Sequence, residues 1–168
     1  MMAESKRRET QFGTAAIAAG RATESWRDRV LLARVGDRVI GFPAPWVAEI
    51  LVIDRSRVMP LPFYDATVLG VIHHQGRLVT LADGHRLLLD ASQPQAIASD
   101  QLTVMAMGAA APQLAGVGIT VDRVLGSEFA ASNSSESDAE MSWQVLATDA
   151  IDPRLWQPLR WQPSDSLD

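Results

Sequence analysis

The sequence predicts a mainly β protein, a barrel or sandwich, and three observations carry that expectation. Short runs rich in Val, Ile and Leu recur along the chain, each too brief for a confident helix. Turn signals separate them, at Gly36-Asp37, at the prolines 43 and 45, at Met59-Pro60-Leu61-Pro62 and at Gly76. Helical signals are few: an Ala-rich stretch over Thr14–Ala19, and a short start at Arg86–Leu89 after Asp83-Gly84.

Taken in order, residues 1–29 form an N-terminal extension. Met1–Thr10 is polar and expected to be disordered. Thr14–Ala19 has helical propensity but a thin apolar face. Val30–Val35 and Arg38–Phe42 read as a hairpin whose Gly36-Asp37 centre is a two-residue turn. Pro43 and Pro45 end the ladder and leave room for one helical turn near Trp46. Val47–Val52 resumes as a strand, and regular alternation would put Val47, Glu49 and Leu51 on one face. The Met59–Pro62 segment is an extended connection into a second hairpin, Val68–Ile72 and Leu78–Leu81, with Gly76 supplying the positive φ of its turn. Gly70 interrupts the first of these strands. A bulge, or close approach of another backbone, would need a missing side chain there. Leu102–Met107 and Gly118–Gly126 are further strand-like runs. Residues 127–140 are Ser-rich and acidic and read as a loop. Trp143, Val145, Leu146, Ile151, Leu155 and Trp156 supply enough apolar bulk to dock back, and residues 161–168 form a tail.

Composition narrows the function. The 168 residues suit one domain with a sizeable core. A net charge of −5 disfavours a nucleic-acid partner, which would call for a basic face. The chain has no Cys, which excludes disulfides, thiolate nucleophiles and zinc–thiolate sites. No apolar run approaches a membrane span, and the N-terminus lacks a signal-peptide core, so a cytoplasmic location without membrane insertion is expected.

The Val68–Asp83 stretch resembles the signature hairpin of CheW-like chemotaxis adaptor domains. Gly70, Val71, Ile72, Gly76, Leu78, Val79, Leu81 and Asp83 fit that pattern. His73 stands where the family has Asn, His74 for an apolar residue, Gln75 for Arg, Thr80 for Pro and Gly84 for Leu, as in a divergent member. Upstream, the order of hairpin, Val-x-Glu-Ile and Leu-Pro segment also matches. Downstream, Gly118–Gly126 contains an Asp-Arg-Val-Leu-Gly run close to the family's. The resemblance implies two SH3-like barrel subdomains over residues 30–160, with short helices and a helical N-terminal extension. It also implies a non-catalytic adaptor that couples methyl-accepting chemoreceptor tips to the regulatory domain of a CheA-type histidine kinase, without a cofactor. The N-terminal extension and the Trp-containing end are similar to variant adaptors of type IV pilus systems, which serve twitching or phototaxis.

The candidate site residues follow from the same matching. Val47 and Gly70 correspond to family positions at the receptor-binding groove between subdomains, although a strand Val and a strand Gly also suit any barrel. Glu49 is retained where the family's Glu supports the binding surface, while its Arg is replaced by Gln75. A carboxylate without a cationic neighbour forgoes a charge-assisted hydrogen bond, and Arg77 is the cation placed to restore it. Trp46, beside two prolines, is the tryptophan of the five best placed to anchor an interface. Gly36 and Gly76 are turn residues.

Two other readings of the chain compete with this one. A small-ligand module would hold a metabolite in the inter-barrel groove with histidines facing it, and a divergent adaptor could have lost its kinase contact. An enzyme reading would need His73 or His74 as base with Asp83 and a serine, but no serine sits in a strand-to-helix elbow. Adjacent His73 and His74 point to opposite faces of a strand and cannot share one metal. His85 and Asp83 would have to join them for a site, so no metal is expected.

Overall fold

The computed structural model describes residues 27–89, 99–130 and 142–159. The expected helix over Thr14–Ala19, the disordered start, residues 131–140 of the Ser-rich loop and the tail lie outside them. Among the described residues the chain is mainly β, with nine strands and one short α-helix.

The first sheet begins with the predicted hairpin, β1 (Arg29–Val35) and β2 (Arg38–Pro43). Val35 pairs with Arg38, so the turn holds two residues, and Gly36 takes the positive φ of 60° that its opening position requires. A 3-10 turn at Ala44–Trp46, started by proline, crosses to the second sheet. There β3 (Val47–Asp54) leads through a 3-10 turn at Arg55–Arg57 and the extended connector to β4 (Val68–His74) and β5 (Arg77–Ala82). Helix α1 (Gly84–Leu88) follows, capped by Asp83, whose carboxylate accepts hydrogen bonds from the backbone N–H groups of His85 and Arg86. Then come β6 (Gln101–Met107), β7 (Val117–Val121) and β8 (Arg123–Phe129). The short β9 (Gln144–Val145) closes the series. The two sheets have strand orders β8-β1-β2-β9 and β3-β6-β7-β5-β4.

Both faces of the strands are put to use, which explains their near-continuous apolar runs. Val30, Leu32 and Val39 line the inner face of the first sheet with Trp143, whose ring lies over Gly41. A Cβ at Gly41 would stand 2.7 Å from that ring. Leu51, Ile53, Ile72, Leu81, Leu102 and Val104 fill the second sheet. Between the sheets lies a shared core to which one contributes Ala33, Val35, Ile40 and Phe42 and the other Ala82, Met105, Met107, Ile119 and Val121. Leu146 and Ile151 complete it from the C-terminal segment, and Leu155 and Trp156 pack on its rim.

Three expectations need correction. The strand begins at Arg29, one residue inside the expected extension. The loop expected from residue 127 begins later, because β8 runs through Phe129. Gly126, at φ 150°, sits at a register shift against β1 and lets the strand continue. Ser127 then accepts a hydrogen bond from Arg29 Nη1 at 2.9 Å, and the Arg29 guanidinium lies 4.7 Å from the centre of the Phe129 ring. Third, alternation in β3 is not regular. Val47 pairs with Met107 but Glu49 pairs with Ala106, so Ala48 is a bulge. Val47 therefore shares a face with Ile50 and Val52, and Glu49 shares the other with Leu51 and Ile53.

Candidate interaction surface

The bulge in β3 builds an apolar strip. Trp46 and Val47 are half-buried against the shared core, and Ile50, opposite the buried Met105, continues it outward. Ile50 is 41% exposed and Val52 65% exposed. The strand is apolar on both faces, and one of them opens to solvent at Ile50 and Val52. The run Glu-Ile-Leu-Val-Ile carried this signal in the sequence, since strict alternation would have placed polar residues at 50 and 52.

On the opposite face of β3, Glu49 reaches across the open side of the second sheet. Its Oε2 lies 3.0 Å from His74 Nε2. β3 and β4 are the outer strands of that sheet, so this pair spans the seam where the sheet curls back on itself. The seam is also closed by backbone. Met59 and Val71 exchange hydrogen bonds of 2.9 and 2.8 Å, and Arg57 Nη2 donates to the His73 carbonyl oxygen at 3.5 Å. The expectation that Arg77 would serve Glu49 is therefore corrected. Arg77 is the cross-strand neighbour of His74 on β5, one strand further from β3, and it is exposed.

Gly70 lies in this seam rather than in an open groove. It has φ 146° at a register shift between Val68 and Gly70, and a Cβ there would collide with the Met59 carbonyl oxygen. Both reasons foreseen for a glycine at this point thus apply together. Gln75 and Gly76 form the turn between His74 and Arg77, both with positive φ, 47° and 77°. That is the backbone of a type I′ turn, and it places the Gln75 side chain at the exposed hairpin tip.

The remaining histidine serves elsewhere. His85 is buried, with Nε2 2.7 Å from Asp122 Oδ1, while Asp122 Oδ2 accepts from the Gly36 N–H at 2.7 Å. This junction ties α1 to the β1–β2 turn and to the β7–β8 corner. His73, His74 and His85 are not gathered in one groove, and among the described residues no group of three or more His, Asp or Glu could hold a metal ion. No helix of the described residues is long and apolar enough to cross a membrane.

The molecule is two curled sheets on a common core, with an apolar strip and a polar seam at the outer strands of the second sheet. The chain belongs to the CheW-like domain family, whose model matches residues 29–146. Among solved structures, the scaffolding protein CheW from Thermoanaerobacter tengcongensis is similar at 12% identity with a TM-score of 0.46. That match covers 61% of this chain and 65% of the other. No curated protein matches the chain.

Proposed function

We propose that this chain is a non-catalytic coupling adaptor that joins chemoreceptor tips to the regulatory domain of a CheA-type histidine kinase. The observation that carries this reading is the strip of Trp46, Val47, Ile50 and Val52, which begins at the shared core and runs into solvent along an outer strand. Apolar area of that kind binds by being covered, and Trp at its base supplies a large, partly rigid contact. Glu49 stands on the opposite face of the same strand, Gln75 at the tip of the β4–β5 hairpin, and Gly70 in the seam.

Calorimetric titration of the chain with the kinase regulatory domain, and separately with a receptor tip, tests the proposal. Val52→Glu places a charge on an exposed position, so the fold should keep its melting temperature. Partner affinity should fall by about tenfold or more, as for central contacts of other interfaces. A folded chain that binds neither partner would remove the coupling role. An unchanged affinity in Val52→Glu would move the contact away from β3.

A further inference from the structure

The apolar strip starts at the end of the domain where the first sheet is entered. Val30 of β1 lies opposite Pro43 of β2, and β1 packs against the 3-10 turn that carries Trp46. The two strands are antiparallel, so Arg27 and Trp46 both lie off the same end of the sheet, each three residues beyond that pair. Residues 1–26 therefore join the domain within about 25 Å of the base of the strip. From Trp46 the strip runs along β3 through Val47 and Ile50 to Val52, a length of about 20 Å at the rise of a strand. Beyond Val52 stand the exposed Asp54, on the same face, and Asp100, whose carbonyl oxygen accepts from the Arg55 N–H.

The N-terminal sequence carries an apolar stripe of matching length. In a helix, Phe12, Ala15, Ala19, Ala22 and Trp26, spaced by three and four, fall on one face, with Thr14, Ile17, Arg21 and Glu24 opposite. Phe12 and Trp26 would then stand about 21 Å apart. The alanines between them leave room for the projecting Ile50. Gly13 and Gly20 weaken such a helix in isolation, so its support has to come from a surface that it covers. Lys6, Arg7 and Arg8, against Glu4 and Glu9, lie further out than Phe12, toward Asp54 and Asp100. We propose that residues 12–26 dock as a helix along the β3 strip, Trp26 at the Trp46 end and Phe12 at the Val52 end, and shield it from a partner. The shielding of a partner site rests on the adaptor reading above; the docking itself does not. A tethered segment is present at an effective concentration of about a millimolar, so even a weak contact keeps it docked much of the time. A partner then binds only the undocked fraction, and its apparent affinity is lowered by that fraction.

The test uses the full chain. Because it has no Cys, an introduced pair is the only one that a short bismaleimide can bridge. Ala19→Cys with Ile50→Cys joins the two midpoints, and Ile17→Cys with Ile50→Cys samples the opposite helix face. The first pair should cross-link within one chain, the second several-fold less, and Val52→Glu added to the first pair should suppress its product. Calorimetry with the kinase regulatory domain, and separately with a receptor tip, reads the shielding. Phe12→Glu should raise affinity about two- to tenfold, the gain when a segment docked for half to nine-tenths of the time is released. Ile17→Glu should bind as wild type does. Equal cross-linking of the two pairs, or none, overturns the docking. A product that joins two chains overturns it too, in favour of a second copy on the strip. Face-specific cross-linking with equal affinities in wild type and Phe12→Glu overturns the shielding. Face-specific cross-linking in a chain that binds neither partner, with or without Phe12→Glu, removes the adaptor reading and leaves the docked segment standing.

Discussion

At Gly70 a methyl group would stand against the Met59 carbonyl oxygen, and the backbone already adopts a φ that side chains disfavour. At Gly76 the φ is also positive, but no atom lies within 4 Å of an added Cβ. The two glycines of one hairpin are thus retained for different physical reasons. Gly76→Ala should cost about 1 kcal/mol, the left-handed penalty alone. Gly70→Ala adds a backbone collision and should cost at least about 2 kcal/mol. Urea unfolding of the two variants measures the difference, and equal losses would mean that the Met59–Val71 seam yields without cost. Acid stability is also set at this scale. Asp65 is held below the ordinary carboxylate range because its side chain accepts a hydrogen bond from the Thr67 N–H, at 2.8 Å. Asp54 is lowered first by the Ser56 hydroxyl and then by the Ser56 N–H, from which it accepts at 2.8 Å. A carboxylate with a depressed folded value stabilises above its unfolded value near pH 4, and that contribution is lost as pH falls through the folded value. The melting temperature should therefore drop as pH falls below about 4, and Asp65→Asn should flatten that drop. An Asp65→Asn profile parallel to wild type would assign the acid sensitivity to other groups.

Elements were largely legible because their signals are local. Gly36-Asp37 and the positive φ of Gly76 mark hairpins whose turns involve only a few neighbouring residues, and both hairpins are present. The prolines at 43 and 45 forecast the break and single helical turn that carry the chain between sheets. The bulge at Ala48 was not legible, since it depends on which residues of β6 lie opposite, and β6 is separated from β3 by some fifty positions. The extra residues of β8 were hidden similarly. Ser127 and Glu128 read as loop formers until Arg29, from the other end of the domain, donates to Ser127 and lies over the Phe129 ring. The first sheet depends on a late arrival too, because Trp143 is buried on its inner face against Val30, Leu32 and Val39. Trp143→Ala should cost about 3–5 kcal/mol, as expected for removing a buried aromatic, and unfolding followed by fluorescence and far-UV circular dichroism would measure it. A loss under about 1 kcal/mol would show that Gly41 and its neighbours close over the space.

Seen across the whole molecule, the shared core decides how the two sheets behave. Met105 is fully buried between them, along with Phe42 from the first sheet and Ile119 from the second. The His85–Asp122–Gly36 junction adds a polar tie between α1, the β1–β2 turn and the β7–β8 corner. The halves are therefore expected to unfold together, with coincident urea transitions by tryptophan fluorescence and by circular dichroism. Met105→Ala should lower that single transition by about 2–5 kcal/mol. Two separated transitions in the wild type would mean that the shared core couples the sheets weakly.

What the sequence alone determined was the β class, the turn chemistry and the order of segments, because runs of apolar residues and the conformational preferences of Gly and Pro act over a few positions. The Glu49 and Gly70 positions were likewise visible as points of interest. Only the tertiary structure decided what surrounds them. Glu49 is served by His74 and not by Arg77, because curling of the second sheet brings β4, not β5, against β3. Val47 joins Ile50 and Val52 because one bulged residue reverses a face. Side-chain period in a strand is two, so a single inserted residue or a single strand's displacement exchanges inside for outside, and no local pattern records which exchange occurs.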